Sequence, residues 1–248
     1  MKRFLHPFNT PLVTLIASLL AMVMRLILLG QADATGLLPM GHPASVFSWV
    51  ITILVLVYLL LSTRTLNEAA KYAFNFPASP FASMGILAGA LGIGINSIAE
   101  LFSGADTLQT VSSLLGLLCV PSLLFLAHCR KDGRRPGTLF NTLLCIYLML
   151  HLVSHYRLWS AYPQIQTYGF ELLALVCLML ASYQRCAFDV GHGSRRAYVF
   201  TSLSAAFFSI AALPGSSNVL FYIGCAIWML TGLCSLKPKP GRYAAKES

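Results

Sequence analysis

The sequence predicts an all-α, polytopic membrane bundle of about eight transmembrane helices with both termini on the cytoplasmic side. Three observations predict it. The 248 residues are 57% hydrophobic and only 10% charged, with a mean hydropathy of +0.73, whereas soluble domains average about 25% charged residues. The apolar residues come in blocks of about 20, the length that crosses a hydrocarbon core roughly 30 Å thick. The basic residues gather in alternate connecting segments, as the positive-inside rule requires. The net charge of +9 therefore records topology, and no nucleic-acid partner is expected.

The chain opens with a short basic segment carrying Lys2 and Arg3. The first span is Pro11 to Gly30, interrupted by Arg25. Ala32-Asp33-Ala34 resembles a signal-peptidase site, but the apolar stretch before it is too long for an h-region and holds an arginine, so a retained helix is expected. An outer loop with Gly36, Pro39, Gly41 and Pro43 leads to the second span, Val46 to Ser62. The inner loop from Thr63 to Pro80 predicts a short interfacial helix in its middle. The third span, Phe81 to Phe102, carries a GxxxG at Gly85 and Gly89, which lets another helix approach closely. After a tight turn, the fourth span runs from Thr107 to Ala127, with Pro121 as an expected kink. Arg130, Lys131, Arg134 and Arg135 form the strongest basic cluster, and Pro136 starts the fifth span. The sixth is roughly Thr167 to Ser182; a polar segment with Arg185, Asp189, His192, Arg195 and Arg196 follows and predicts a solvated inner loop. The seventh span, Tyr198 to Leu213, is rich in Ser and Ala; the eighth is Val219 to Leu236.

This division places 15 of the 17 Lys and Arg residues on the inner side. The exceptions are Arg25 and Arg157. Residues 1–236 form a single transmembrane domain, with a weak 4+4 parallel repeat (1–135 and 136–236) in the spacing of its loops. Residues 237–248 predict a basic, disordered tail. The seven cysteines (Cys119, Cys129, Cys145, Cys177, Cys186, Cys225, Cys234) lie in apolar runs or at inner ends, without a CxxC. That pattern argues against a disulfide framework or a thiolate zinc site.

Ionisable residues within spans mark functional sites by default, because they pair with one another or line a hydrated cavity. Here they share the outer half of the membrane: Arg25, Asn96, Glu100, His151, His155, Arg157 and Glu171. At 1.5 Å per residue, Arg25 lies about 7 Å and His151 about 10 Å below the outer ends of their spans. Trp159, Tyr162, Gln164, Gln166 and Tyr168 would rim such a pocket. Plainer roles compete: the arginines would snorkel to headgroups, and Glu171 would complement the dipole at its helix start. His151 and His155, four apart, share a helix face at metal-ligand spacing, with Glu171 as the third ligand considered. A lone HxxxH is weak evidence, so neither a metal nor another cofactor is expected.

Arg157-Leu-Trp-Ser, Pro163-Gln-Ile-Gln-Thr-Tyr, Leu178-Met-Leu-Ala-Ser-Tyr, Ala187-Phe-Asp-Val-Gly and Arg195-Arg, with Gly36-Leu-Leu-Pro, Gly41-His-Pro and Asn75-Phe-Pro-Ala-Ser, cover most of the chain. In these runs it resembles a family of uncharacterised multi-pass membrane proteins of clostridial-type bacteria. The resemblance implies an integral protein of a bacterial plasma membrane and supplies no catalytic residue.

There is no P-loop, GxSxG, HExxH or CxxC, so an enzyme acting on lipid or quinone is the weakest of three expectations. The first is a small-molecule or ion transporter, or its substrate-binding membrane subunit. The second is a sensor or scaffold whose basic inner loops meet a cytoplasmic protein or anionic lipid. A transporter predicts a hydrated cavity that reaches Glu171 and His151 and is closed on the inner side; if these groups are instead paired in a dry, sealed bundle, the transport reading fails and the scaffold gains.

Overall fold

In the computed structural model the described residues are 9–31, 42–66, 68, 70–103, 106–161 and 168–237. Lys2 and Arg3, Ala32-Asp33-Ala34, the rim residues Tyr162, Gln164 and Gln166, and the tail beyond Lys237 lie outside them. Every element among the described residues is helical: α1 (Asn9–Leu29), α2 (Pro43–Arg64), α3 (Tyr72–Asn75), α4 (Pro80–Phe102), α5 (Thr107–Asp132), α6 (Thr138–Trp159), α7 (Gly169–Val190), α8 (Arg195–Ala212) and α9 (Val219–Cys234).

Local chemistry sets several of these ends. His42 accepts a hydrogen bond from the Ala44 amide, and Pro43 and Pro80 occupy first-turn positions that need no amide hydrogen. Ser79 caps α4 through the Ala82 amide at 3.2 Å, and Ser194 caps α8 through Ala197 at 3.4 Å. Gly133 and Gly191 close α5 and α7 at φ +70° and +84°, the left-handed region that favours glycine.

Six helices, α1, α2, α4, α5, α6 and α7, are long and apolar enough to cross a membrane. α9 is apolar and 16 residues long. α8, at 18 residues, is the least lipid-like because it is enclosed: 14 of its residues are buried. α4, α5, α6, α7, α8 and α9 pack each against the next, and α9 returns to α4, so they close a ring in chain order. α1 and α2 pack together against α8 on the outside of that ring. Their exposed faces (Leu12, Ile16, Leu19, Phe47, Ile53, Leu54) are apolar, as contact with lipid requires. Fold and composition together define a multi-pass, all-α membrane protein.

The seam between α4 and α9 depends on glycine. A Cβ on Gly92 would come within 2.7 Å of the Leu220 carbonyl, and one on Gly224 within 2.6 Å of the Ala88 carbonyl. Gly85 and Gly89 continue the same seam against Thr231 and Trp228. The close approach expected from the GxxxG is thus made, and α9 is the partner. α5 runs through Pro121 unbroken.

One expectation at the inner end is corrected. The polar segment after Ser182 is not a solvated loop: α7 continues to Val190 and α8 begins at Arg195. Ala181, Ser182, Arg185, Phe188 and Asp189 are all buried, on one helical face. Hydropathy falls there while the helical period persists, because the polar groups meet inside the protein. Asn141 donates to the Asp189 carboxylate, Arg135 donates to the Asp189 carbonyl, and Arg195 donates to the Lys237 carbonyl. His192 and Arg196 are exposed, and Arg196 pairs with Glu68 at 3.4 Å. α3 falls in the loop where a short helix is expected, with one side packed into the protein. Tyr72 and Phe76 are buried, and the Phe76 ring packs on Phe188 and Tyr198 under the Arg130 guanidinium.

Candidate functional site

The polar residues of the outer half converge on two adjoining clusters, built from the ends of α1, α4, α5, α6 and α7 and from the turn joining α8 to α9. The first is centred on Glu100, two residues before the end of α4. Its Oε1 accepts from Asn96 Nδ2 at 2.9 Å and from Asn218 Nδ2 at 3.4 Å; its Oε2 accepts from Ser113 Oγ at 2.7 Å. Two histidines from α6 face the same carboxylate. His155 Nε2 is 3.5 Å from Oε1, and His151 Nδ1 is 4.0 Å from Oε2.

The two imidazoles are held differently. His155 Nδ1 lies 3.1 Å from the His151 carbonyl, one turn back on α6. A carbonyl only accepts, so that bond places the proton on Nδ1 and leaves the Nε2 lone pair turned toward Glu100 and Asn218. His151 is 1% exposed, and neither of its ring nitrogens has a hydrogen-bond partner among the described residues. Its ring lies among Tyr147, Phe221 and His155, with centroids 5.4, 5.2 and 4.1 Å away. Leaving a buried polar group unsatisfied costs about 1–3 kcal/mol, so this orphaned ring needs a reason.

The second cluster surrounds Glu171 in the first turn of α7. Its Oε2 accepts from Ser216 Oγ at 3.3 Å and from Tyr222 OH at 3.5 Å. Arg25 of α1 lies within electrostatic reach of Glu171, donates to the Ala211 carbonyl at 2.9 Å and sits 5.0 Å from the Phe170 ring centre. The α8–α9 turn joins the two clusters. Ser216 Oγ accepts from the Asn218 amide at 3.1 Å, so the turn offers its serine to Glu171 and its asparagine to Glu100 and His155. Trp159 and Tyr168 stack above at 5.2 Å, with the Trp159 edge against His155.

Of the seven residues picked from sequence, Arg25, Asn96, Glu100, His151, His155 and Glu171 are buried in these clusters. Arg157 is not: its side chain is 66% exposed and pairs with Asp106 at 3.0 Å. Glu171 does not join the histidines as a third ligand; Glu100 takes that place, with donor atoms of Glu100, His151 and His155 all within 4.8 Å of one another. Sequence reasoning passed over Ser113, Ser216, Asn218 and Tyr222. Ser216 and Asn218 look like ordinary turn residues, and no local pattern says that their turn dips between helices.

No known protein family, curated protein or solved structure matches the chain. Functional inference therefore stands on the site itself.

Proposed function

We propose that the protein is a small-molecule or ion transporter, or the solute-binding membrane subunit of one, with its solute site in the outer polar layer and that site closed in this conformation. One observation carries the reading. Buried ionisable groups from α1, α4, α6 and α7 meet at one level, and one of them, His151, has no hydrogen-bond partner among the described residues. The inner network also holds buried atoms without a partner among the described residues, such as Arg185 Nε and Asp189 Oδ1, so the reading is supported by the orphaned His151 together with the convergence of ionisable groups from four helices. A solute site keeps capacity for a guest. The resemblance noted in the sequence supports a bacterial plasma membrane as its location.

A second reading is a non-transporting scaffold or sensor. Lys131, Arg134 and Arg135 are exposed together at the inner end, which suits anionic lipid headgroups or an acidic protein partner.

The discriminating experiment is a thermal-shift screen of the detergent-purified protein against metals, amino acids, vitamins and nucleosides, followed by uptake of any hit into proteoliposomes. A shift present in wild type and lost in Glu100→Gln or Glu171→Gln, with uptake of that ligand, is expected. A flat response across the panel overturns the pocket and leaves the scaffold.

A further inference from the structure

We propose that Glu100, His151 and His155 form a binding site for a divalent transition-metal ion of the zinc class. The inference deepens the transporter reading by naming a class of solute. It rests on that reading only for the step in which the ion is carried.

One carboxylate and two imidazoles supply oxygen and nitrogen ligands, the combination that suits first-row divalent ions; magnesium and calcium prefer all-oxygen shells. Three protein ligands with one open position is the arrangement of exchangeable or catalytic zinc sites, whereas structural sites are closed by four.

The distances come next. With bonds of about 2.0–2.2 Å, a tetrahedral ion holds its ligand atoms about 3.3–3.6 Å apart. His155 Nε2 and Glu100 Oε1 are already at 3.5 Å, and His151 Nδ1 is 4.0 Å from Oε2. The full set lies within 4.8 Å, so side-chain rotations that move the donor atoms by on the order of 1 Å bring all three to tetrahedral spacing. The two histidines are four apart on α6, so the helix itself sets both on one face.

The surrounding bonds are those a ligand set requires. Metal-binding histidines donate their second ring N–H to a carbonyl or carboxylate, which fixes the tautomer. His155 does so through Nδ1 to the His151 carbonyl, leaving the Nε2 lone pair for the ion. Asn96 and Ser113 orient the Glu100 carboxylate. Asn218 lies 3.3 Å from His155 Nε2 and 3.4 Å from Glu100 Oε1, beside the open position. His151 completes the case: a buried ring with no hydrogen-bond partner among the described residues gains one when Nδ1 binds a cation.

The test uses the full chain, purified in detergent with any affinity tag removed, and Co2+ as a coloured probe. A saturable visible absorption at one equivalent, displaced by Zn2+, is expected. It should weaken by at least about tenfold in His151→Ala and Glu100→Gln and persist in His128→Ala, which alters an exposed histidine at the inner end. Should the variants not fold, X-ray absorption of the zinc-loaded wild type decides instead. Imidazole and carboxylate ligation supports the site; sulfur or water-only ligation overturns it. Absence of saturable absorption in wild type, or its survival in His151→Ala, also overturns it. Zinc uptake by proteoliposomes is measured separately. Binding without uptake supports the metal site and overturns the ion as cargo. A thermal shift and uptake with another ligand, and no metal binding, overturns this proposal and leaves the transporter reading in place.

Discussion

Glu100 and His151 are neighbours in opposite situations. Glu100 receives three hydrogen bonds from side chains on α4, α5 and the α8–α9 turn; the His151 ring nitrogens have no hydrogen-bond partner among the described residues. Removing each should therefore have unequal effects on stability. Glu100→Ala strands the donors of Asn96, Ser113 and Asn218, and we expect a loss of about 1–3 kcal/mol or more, seen as a lower thermal midpoint in detergent. His151→Phe keeps the ring's packing and removes two unsatisfied nitrogens, so it should cost under about 1.5 kcal/mol. Equal destabilisation by the two would show that His151 has a structural partner. Added zinc should raise the midpoint of wild type and leave His151→Phe unchanged, since an ion stabilises only the state that binds it.

At the scale of elements, the α4–α9 seam and the inner extension of α7 make separate predictions. Gly224→Val pushes a side chain into the Ala88 carbonyl, where even a Cβ would sit at 2.6 Å. Overpacking of this kind costs about 1–3 kcal/mol or more, and should appear as reduced yield of folded protein and a lower melting midpoint. Gly30→Ala is the control: its Cβ meets nothing nearer than 3.5 Å and its melting should match wild type. On α7, Asp189 accepts from Asn141 and stands beside Arg185 and Arg135. Asp189→Ala leaves the buried Arg185 guanidinium without its acid, for which about 3–5 kcal/mol is the usual penalty. A solvated loop residue at that position would be nearly neutral, so the melting curve of Asp189→Ala separates the two descriptions.

For the whole molecule, the ring of six helices with α1 and α2 outside it places the polar clusters at one end and the arginine-rich network at the other. The positive-inside rule then predicts that the arginine-rich end faces the cytoplasm. A membrane-impermeant thiol reagent tests this in intact cells. Ser103→Cys, at the outer end of α4, should label; Arg134→Cys should label only after permeabilisation. The reverse pattern would invert the topology and put the Glu100 cluster on the cytoplasmic side.

Helix number, approximate limits and the residues that break the apolar pattern were determined by the sequence itself. They depend on local quantities: blocks of hydropathy, capping residues and the side on which Lys and Arg fall. For the same reason Arg25, Glu100, His151, His155 and Glu171 stood out, because charge in an apolar run is conspicuous wherever the helix packs. What those groups touch was decided only by the tertiary structure. Four residues along α6 set the two histidines together, but whether Glu100 or Glu171 faces them depends on which helices close the ring. Asn218 and Ser216 are plain turn residues until α8 and α9 carry their turn down between the clusters. The inner end shows the same limit in reverse. Local hydropathy at Asp189 and Arg195 predicts water, and burial there is achieved by partners 42 to 54 residues away in sequence, on α6 and on the segments before α6 and after α9. A charge's cost depends on its partners, and partners distant in sequence are set by packing.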